Sequence, residues 1–274
     1  MTTQEAAGPR WNVRSQAYRL CVASVLGFFL FGTVELVSWS ADRARLRALA
    51  LDVAAPARGE IERLTRLTDW LFRNVKPGKN RRYHLWRRLD ATPIQILEHG
   101  GDCEDKSKLL AVLLRELEIE SSLAMLYPCV QCEPAHTVAL VETRGGWTIA
   151  DPAFGFTFPD GRGGFQTIET LRADPALLQN RLAELRAARG PADEINWYKP
   201  ESDHYSLITT FNWNKNALMR GAASLLQKAG AEPWSIPRPL FLDDPKQFFA
   251  LLGLGGALGS GLVALLLRPR RSRS

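Results

Sequence analysis

The sequence predicts an α+β domain that lies between two membrane-spanning helices. One long apolar stretch without charged residues lies near each end of the 274-residue chain. Between these stretches, segments with helical spacing of apolar residues are followed by short alternating segments with turn residues between them, which predicts helices followed by antiparallel strands. The composition, 46% hydrophobic and 23% charged, is typical of a globular protein and excludes a disordered or collagen-like chain.

These patterns divide the chain into six parts. A tail of residues 1–16 and a first span of residues 17–39 precede the domain, residues 40–160, which begins with a helical stalk. A proline-containing extension and connector, residues 161–246, leads to the second span, residues 247–267, and a basic tail, residues 268–274.

The C-terminal apolar stretch is long enough to cross a bilayer. Phe248–Leu267 is 20 residues without a charge, and a helix of that length is about 30 Å long. Gly255 and Gly259 form a GxxxG pattern, which lets helices approach closely in lipid and predicts a membrane-protein partner. The alternative is a glycine-rich tail helix whose glycines contact nothing in particular.

The N-terminal apolar stretch has a core at Leu20–Val34, preceded by Arg10, Arg14 and Arg19. A cleaved signal peptide is the rival interpretation. The apolar core is long for a signal peptide and no A-x-A cleavage pattern follows it, so we favour an uncleaved helix.

The distribution of charge sets the expected topology. The formal charge of +6 and the pI of about 9.3 could indicate a nucleic-acid-binding protein. However, four arginines lie in the last seven residues beside the apolar stretch, which is typical of a membrane anchor. The positive-inside rule then places both termini in the cytoplasm and the domain on the outer face of the cytoplasmic membrane. The four arginines are Arg268, Arg270, Arg271 and Arg273.

Between the spans, helical periodicity comes before strand alternation. The predicted helices are Glu60–Asn74, Pro93–His99, Asp102–Leu117 and Ile168–Arg189, and the predicted strands are Ser122–Tyr127, Thr137–Thr143 and Trp147–Ala150. A hairpin turn is expected at Arg144–Gly146.

Three residues in this region have the chemistry of a nucleophile, a base and an orienting acid. Cys103 opens a predicted helix, and a helix N-terminus favours the nucleophilic thiolate. His136 begins one strand and Asp151 ends the next, so a hairpin can bring them side by side. The pattern predicts a Cys-His-Asp triad in which Asp151 orients the imidazole of His136.

The same residues resemble the transglutaminase-like superfamily. Gly101 and Cys103, His136, and Asp151 followed by Pro152 match its pattern of Gly-x-Cys at a helix start, His on a strand and Asp closing the following strand. The stretch Gly101–Asp105 is similar to the DCED motif of bacterial transglutaminase-like cysteine proteinases, which are periplasmic. The resemblance implies a papain-like fold, with the Cys-bearing helix packed on an antiparallel sheet, and a cysteine protease or amidase without a required cofactor.

Two further features of the site depend on this resemblance. The backbone N–H of Cys103 is expected to supply one oxyanion donor, with Gln95, Tyr83 and Trp86 as candidates for a second. In the related proteinases calcium binds near the DCED motif. Candidate calcium ligands here are Asp102, Glu104 and Asp105.

The same acidic residues have a simpler interpretation. Asp102 and Asp105 have the spacing of a helix capping box, and capping with dipole compensation is the alternative to calcium. The three carboxylates oppose a thiolate at Cys103, so they are expected to point outward or to be neutralised by a cation or by Lys106. Cys129 and Cys132 form a CxxC that predicts a local disulfide on the outer face of a membrane.

The predicted function is hydrolysis of a peptide or amide substrate by thiol acyl transfer. The alternative is a non-catalytic subunit of a membrane complex that retains the fold.

Overall fold

The computed structural model describes residues 13–89, 91–127, 134–190, 208–231, 236 and 238–268. The chain divides into two compact units. One unit contains residues 1–41 and 246–274, and the other contains residues 42–245.

Eight helices and five strands are described. The helices are α1 Val13–Ala54, α2 Glu60–Asn74, α3 Pro93–His99, α4 Cys103–Glu116, α5 Ile168–Ala173, α6 Ala176–Arg189, α7 Ala217–Lys228 and α8 Pro245–Leu267, and the strands are β1 Ser121–Leu126, β2 His136–Thr143, β3 Gly146–Asp151, β4 Phe156–Thr157 and β5 Ile208–Thr209. The predicted bounds of α2 and α3 agree with the structure at both ends.

The first unit is formed by α8 and the N-terminal part of α1. Both helices are long and apolar enough to cross a membrane, and only 11% and 22% of their apolar windows are buried, which is unlike the core helix of a globular domain. Gly253 packs against Gly32, and the rings of Phe31 and Phe249 meet edge-on at 6.0 Å. A side chain at Gly32 would lie 2.7 Å from the backbone nitrogen of Leu254, so the close approach of the helices requires glycine there.

Gly255 and Gly259 do not take part in this contact. A β-carbon added at either glycine would contact only α8 itself. Among the described residues, no atom of another element lies within 4 Å of it. The helix pair uses a different row of α8, which contains Gly253, Ala257 and Gly261. A partner bound through Gly255 and Gly259 stays a prediction.

The second unit is built around an antiparallel sheet with strand order β4-β3-β2-β1-β5. The sheet lies between two hydrophobic clusters. One cluster joins Leu64 and Leu67 of α2 to Leu109 and Leu113 of α4, and the other lies against α5 and α6. The side chains of α4 from Asp105 to Leu114 are all buried, so α4 is a central helix rather than an amphipathic surface helix.

The structure refines the expected organisation at three places. Leu46 and Ala50, in the expected stalk, are fully buried in the core, so the end of α1 packs into the domain. The helix expected at Ile168–Arg189 is divided at Asp174 and Pro175, because proline cannot donate the next backbone hydrogen bond. The extension after residue 161 adds β5 to the sheet beside β1.

Candidate active site

The N-terminus of α4 is organised by a capping box. The Asp102 carboxylate accepts hydrogen bonds from the backbone N–H groups of Glu104 and Asp105, and the Asp105 carboxylate accepts one from the N–H of Asp102. The N–H of Lys106 donates to the Asp102 carbonyl at 3.0 Å. The predicted capping box is therefore confirmed, and it fixes the helix turn that carries Cys103.

The backbone N–H of Cys103 is left out of this pattern. It donates to no acceptor among the residues that the structure describes. The next three N–H groups, those of Glu104, Asp105 and Lys106, all donate to Asp102. In the first turn of α4, the N–H of Cys103 therefore remains available to a ligand.

His136 and Asp151 form a buried pair at one end of the sheet. The β2–β3 ladder pairs Ala139 with Ala150, so the start of β2 and the end of β3 lie at the same edge. His136 Nε2 lies 2.7 Å from Asp151 Oδ2, and the two residues are 4% and 0% exposed. Such a pair holds the ring in one orientation.

The turn after β3 and a nearby aromatic ring fix this pair in place. Asp151 Oδ1 accepts hydrogen bonds from the backbone N–H groups of Ala153 and Phe154, at 3.0 and 3.1 Å. The Phe154 ring lies 5.3 Å from the His136 ring, centroid to centroid. Both oxygens of Asp151 are therefore used, one for the turn and one for the imidazole.

Cys103 is half-buried and interacts with the imidazole of His136. Burial by itself lowers the pKa of His136, but the charge and hydrogen bond of Asp151, together with a hydrogen bond to Cys103 and its charge, raise this pKa to about 10. Nε2 faces Asp151, which leaves Nδ1 of the ring for the sulfur. A side-chain hydrogen bond from Ser107 Oγ to the Thr137 carbonyl, at 3.0 Å, ties α4 to β2 beside this contact.

The structure thus brings the three predicted site residues together. The buried imidazole of His136 contacts the buried Asp151 carboxylate, and the half-buried thiol of Cys103 at the helix N-terminus acts on the same imidazole. This arrangement can activate a thiol and move a proton between the sulfur and a second group.

The carboxylates proposed as calcium ligands have other partners. Those of Asp102 and Asp105 take part in the capping box, and Glu104 forms an ion pair with Lys108 at 2.9 Å. Among the described residues there is no group of three His, Cys, Asp or Glu side chains that could hold a metal ion. The geometry therefore favours the capping interpretation and gives calcium no support.

The two acidic residues that follow Cys103 on α4 have pKa values shifted in opposite directions. The Lys108 ammonium, with smaller effects of Arg238 and Lys215, lowers the pKa of Glu104 to about 2 against the effect of burial. Burial, followed by the charge of Asp102, raises the pKa of Asp105 to about 6. Lys108 rather than Lys106 balances Glu104, and this corrects the expectation that Lys106 would neutralise the motif.

Sequence reasoning missed the contribution of the C-terminal extension. Asp243, 1% exposed, binds Arg115 of α4 at 2.5 Å and Arg238 at 2.8 Å. These ion pairs hold the extension to α4. The charge of Arg238 also helps to lower the pKa of Glu104, the residue after Cys103. No local motif marks this network, because its contact with α4 joins positions 128 residues apart.

The three candidates for a second oxyanion donor differ in their surroundings. The Gln95 side-chain oxygen accepts a hydrogen bond from the N–H of Thr92 in the capping box of α3. Tyr83 and Trp86 are about half exposed, on the loop before α3. Their assignment stays a prediction. Cys129 and Cys132 lie outside the described residues.

Comparison with known proteins gives one family match and one similar solved structure. Residues 47–152 match the family model of the transglutaminase-like superfamily, and this match contains Cys103, His136 and Asp151. No curated protein matches the chain. Among solved structures, a "Putative Cysteine Protease" from Cytophaga hutchinsonii is 19% identical, with a TM-score of 0.34. The match covers 41% of this chain and 38% of that protein, so this chain spans well under half of its length.

The family match agrees with the α+β architecture. The helix that bears Cys103 packs on an antiparallel sheet, as the sequence predicted. Residues 47–152 of this chain therefore form a domain of the transglutaminase-like superfamily.

Proposed function

We propose that the protein is a membrane-anchored cysteine hydrolase that cleaves a peptide or amide bond through a Cys103-His136-Asp151 triad. The observation that carries this proposal is the 2.7 Å contact between His136 and Asp151, on a ring that also interacts with Cys103 at the N-terminus of α4. A purely structural His–Asp pair would not need a half-exposed thiol on its other side.

The proposed reaction has two steps. The Cys103 thiolate attacks the carbonyl carbon, the C–N bond breaks, and the His136 imidazolium gives its proton to the leaving amine. Neutral His136 then removes a proton from water, whose oxygen attacks the thioester, and the C–S bond breaks to release the acid and restore the Cys103 thiolate beside the His136 imidazolium. The unused N–H of Cys103 stabilises the oxyanion in both steps.

The two apolar helices and the basic C-terminus support the proposed location. Both helices have the length and composition of membrane spans. If the arginine-rich end lies in the cytoplasm, as the positive-inside rule favours, the span α8 that precedes it puts residues 42–245 on the outer face of the cytoplasmic membrane.

A peptide library tests the proposed reaction. The purified full-length protein is incubated with a complex mixture of peptides, and new termini and deamidated side chains are identified by mass spectrometry. We expect products from wild type and from the matched control Cys21→Ala, and none from Cys103→Ala. Products that persist in Cys103→Ala would refute the proposal.

The same experiment addresses the alternative of a non-catalytic subunit. The exposed edge of α8 at Gly255 and Gly259 is the feature that favours a membrane partner. A subunit of this kind would yield no products with any variant, and its Cys103 would react with electrophiles no faster than Cys21.

A further inference from the structure

The segment from Lys76 to Leu89, named here the basic loop, is strongly charged, and the proposed reaction does not use that charge. It contains six Lys and Arg residues and no Asp or Glu, so its formal charge of +6 equals that of the whole chain. The six residues are Lys76, Lys79, Arg81, Arg82, Arg87 and Arg88. A surface with one sign of charge attracts ligands of the opposite sign.

The charges of the basic loop are available to a ligand. Arg81, Arg82 and Arg87 are exposed, and none of them forms an ion pair within the part of the chain that the structure describes. The carboxylates at the start of α4 do not neutralise the loop, because they have partners of their own in the capping box and in Lys108.

The basic loop also exposes large apolar side chains. Tyr83, Leu85 and Trp86, which lie between the arginines, are 51%, 59% and 49% exposed. Arginine, tyrosine and tryptophan are the residues that most often dominate protein-binding surfaces, because they combine apolar area with hydrogen-bond donors. The loop therefore has both the charge and the apolar contact area of a recognition surface.

The basic loop is joined to the turn that precedes Cys103. The N–H of Gly101 donates to the Lys76 carbonyl at 3.1 Å, and the Asn80 side-chain amide donates to the Gly100 carbonyl at 2.7 Å. A β-carbon at Gly100 would lie 2.5 Å from the Lys76 carbonyl oxygen, so the loop and the turn pack closely. A molecule bound to the loop is therefore held close to the nucleophile.

We propose that the basic loop is a docking surface for the substrate, and that it selects a polypeptide with acidic and apolar side chains near the scissile bond. The inference rests on the proposed function, which makes Cys103 a nucleophile. Carboxylates complement exposed guanidinium groups, and the aromatic side chains add apolar contact. The link to Gly100 and Gly101 favours a polypeptide over membrane headgroups, because a loop that only held a membrane would need no connection to the Cys103 turn.

The first test measures binding without turnover. Full-length Cys103→Ala protein is titrated, by fluorescence anisotropy, with a labelled peptide of Glu, Ala and Phe and with a counterpart that has Gln in place of Glu. The Glu peptide should bind at least about tenfold more tightly at low salt. Arg81→Glu/Arg82→Glu should weaken its binding by about fivefold or more. Equal affinities for the two peptides would overturn the proposal.

A matched variant controls for the change in net charge. Arg144 and Arg162 are exposed arginines in the β2–β3 turn and in the loop after β4, outside the basic loop. Arg144→Glu/Arg162→Glu changes the net charge by the same amount and should alter the affinity for the Glu peptide by less than about twofold. A loss as large as that of the loop variant would show a general charge effect and would contradict docking at the loop.

The products of the peptide library separate this proposal from the proposed function. Bonds cleaved by wild type should be flanked by Asp or Glu more often than bonds in the library as a whole, and Arg81→Glu/Arg82→Glu should lose this enrichment. Products without enrichment would overturn the docking proposal alone. Absence of products, together with loop-dependent binding of the Glu peptide, would refute the proposed function alone.

Membrane headgroups are the competing ligand. The full-length protein with Leu85→Cys is placed in nanodiscs, and a water-soluble maleimide labels the new thiol, followed by mass spectrometry of the peptide that contains position 85. Labelling should be equally fast in phosphatidylcholine and in phosphatidylglycerol nanodiscs. Protection only in the presence of phosphatidylglycerol would assign the loop to the membrane and overturn the proposal.

Discussion

At the scale of single residues, the site depends on the contact between His136 and Asp151, on the burial of both, and on the thiol of Cys103 that acts on the imidazole. The Asp151 carboxylate and the His136 ring stabilise each other in a place that water does not reach. Since burial strengthens electrostatic interactions, the protonation of this pair should be visible in the stability of the whole domain.

The first prediction concerns the pH dependence of stability. The folded protein raises the pKa of His136 from 6.5 to about 10. The stability that His136 contributes is therefore fully present below about pH 6.5 and is lost as the pH rises towards about 10. Thermal denaturation between these limits should show a steeper fall in the melting temperature for wild type than for His136→Gln. Parallel curves would show that the pair contributes no pH-linked stability.

The second prediction concerns Asp105. Burial and Asp102 raise its pKa to about 6 from 3.8, so the stability of the fold falls as the pH rises from about 3.8 to about 6, and the full destabilising effect is present above about pH 6. Asp105→Asn keeps an oxygen that can accept the N–H of Asp102. The melting temperature should rise by about 2–4 °C at pH 7.5 and change little at pH 4. A decrease at pH 7.5 would mean that the charge, and not the acceptor, is what α4 requires.

At the scale of elements, α4 combines local capping with burial of every side chain from Asp105 to Leu114. Its cap is a local feature, so the Asp102 and Asp105 spacing was sufficient to predict it. The burial of Lys106 and Lys108 is a tertiary effect. Sequence could not show this burial, because it depends on the strands and helices that pack around α4.

The third prediction isolates the cap of α4. Asp102→Ala removes the acceptor of two backbone N–H groups and should lower the free energy of unfolding by about 1 kcal/mol, with a range of about 0.5–2 kcal/mol. Asp102→Ser retains a capping oxygen and should lower it by less. Urea denaturation of the two variants measures the difference, and equal losses would show that the cap oxygen is not the stabilising group.

At the scale of the whole molecule, the contacts that sequence could not predict join distant parts of the chain. The order of helices and strands follows from periodicity and turn residues, which are local. The buried Asp243 network joins α4 to the residues before α8 and depends on chain segments 128 residues apart. The pairing of β5 with β1 is similar, since two residues carry no recognisable strand pattern.

The fourth prediction tests the Asp243 network. Asp243→Asn leaves two arginines without their buried partner and should lower the free energy of unfolding by about 3–5 kcal/mol. The control is Asp69→Asn, which removes an exposed ion pair with Arg73 and should cost about 0–1 kcal/mol. Similar losses for both variants would show that the buried network adds no special stability.

The fifth prediction concerns the pair of apolar helices. A disulfide between cysteines at positions 31 and 249 reports their contact, because the phenylalanine rings there meet at 6.0 Å. Gly32→Val should reduce its yield by about half or more, since a β-carbon at Gly32 meets the backbone of α8. Gly255→Val should leave the yield unchanged, and equal effects of both variants would contradict the packing of this pair.

The most direct test of the central claim is the rate at which Cys103 is alkylated at pH 6. The full-length protein reacts with iodoacetamide, and mass spectrometry follows the peptide that contains Cys103. If the His136 imidazolium stabilises the thiolate, Cys103 should react at least about tenfold faster in wild type than in His136→Gln. Equal rates in the two proteins would show that His136 does not activate Cys103, and would contradict the proposed triad.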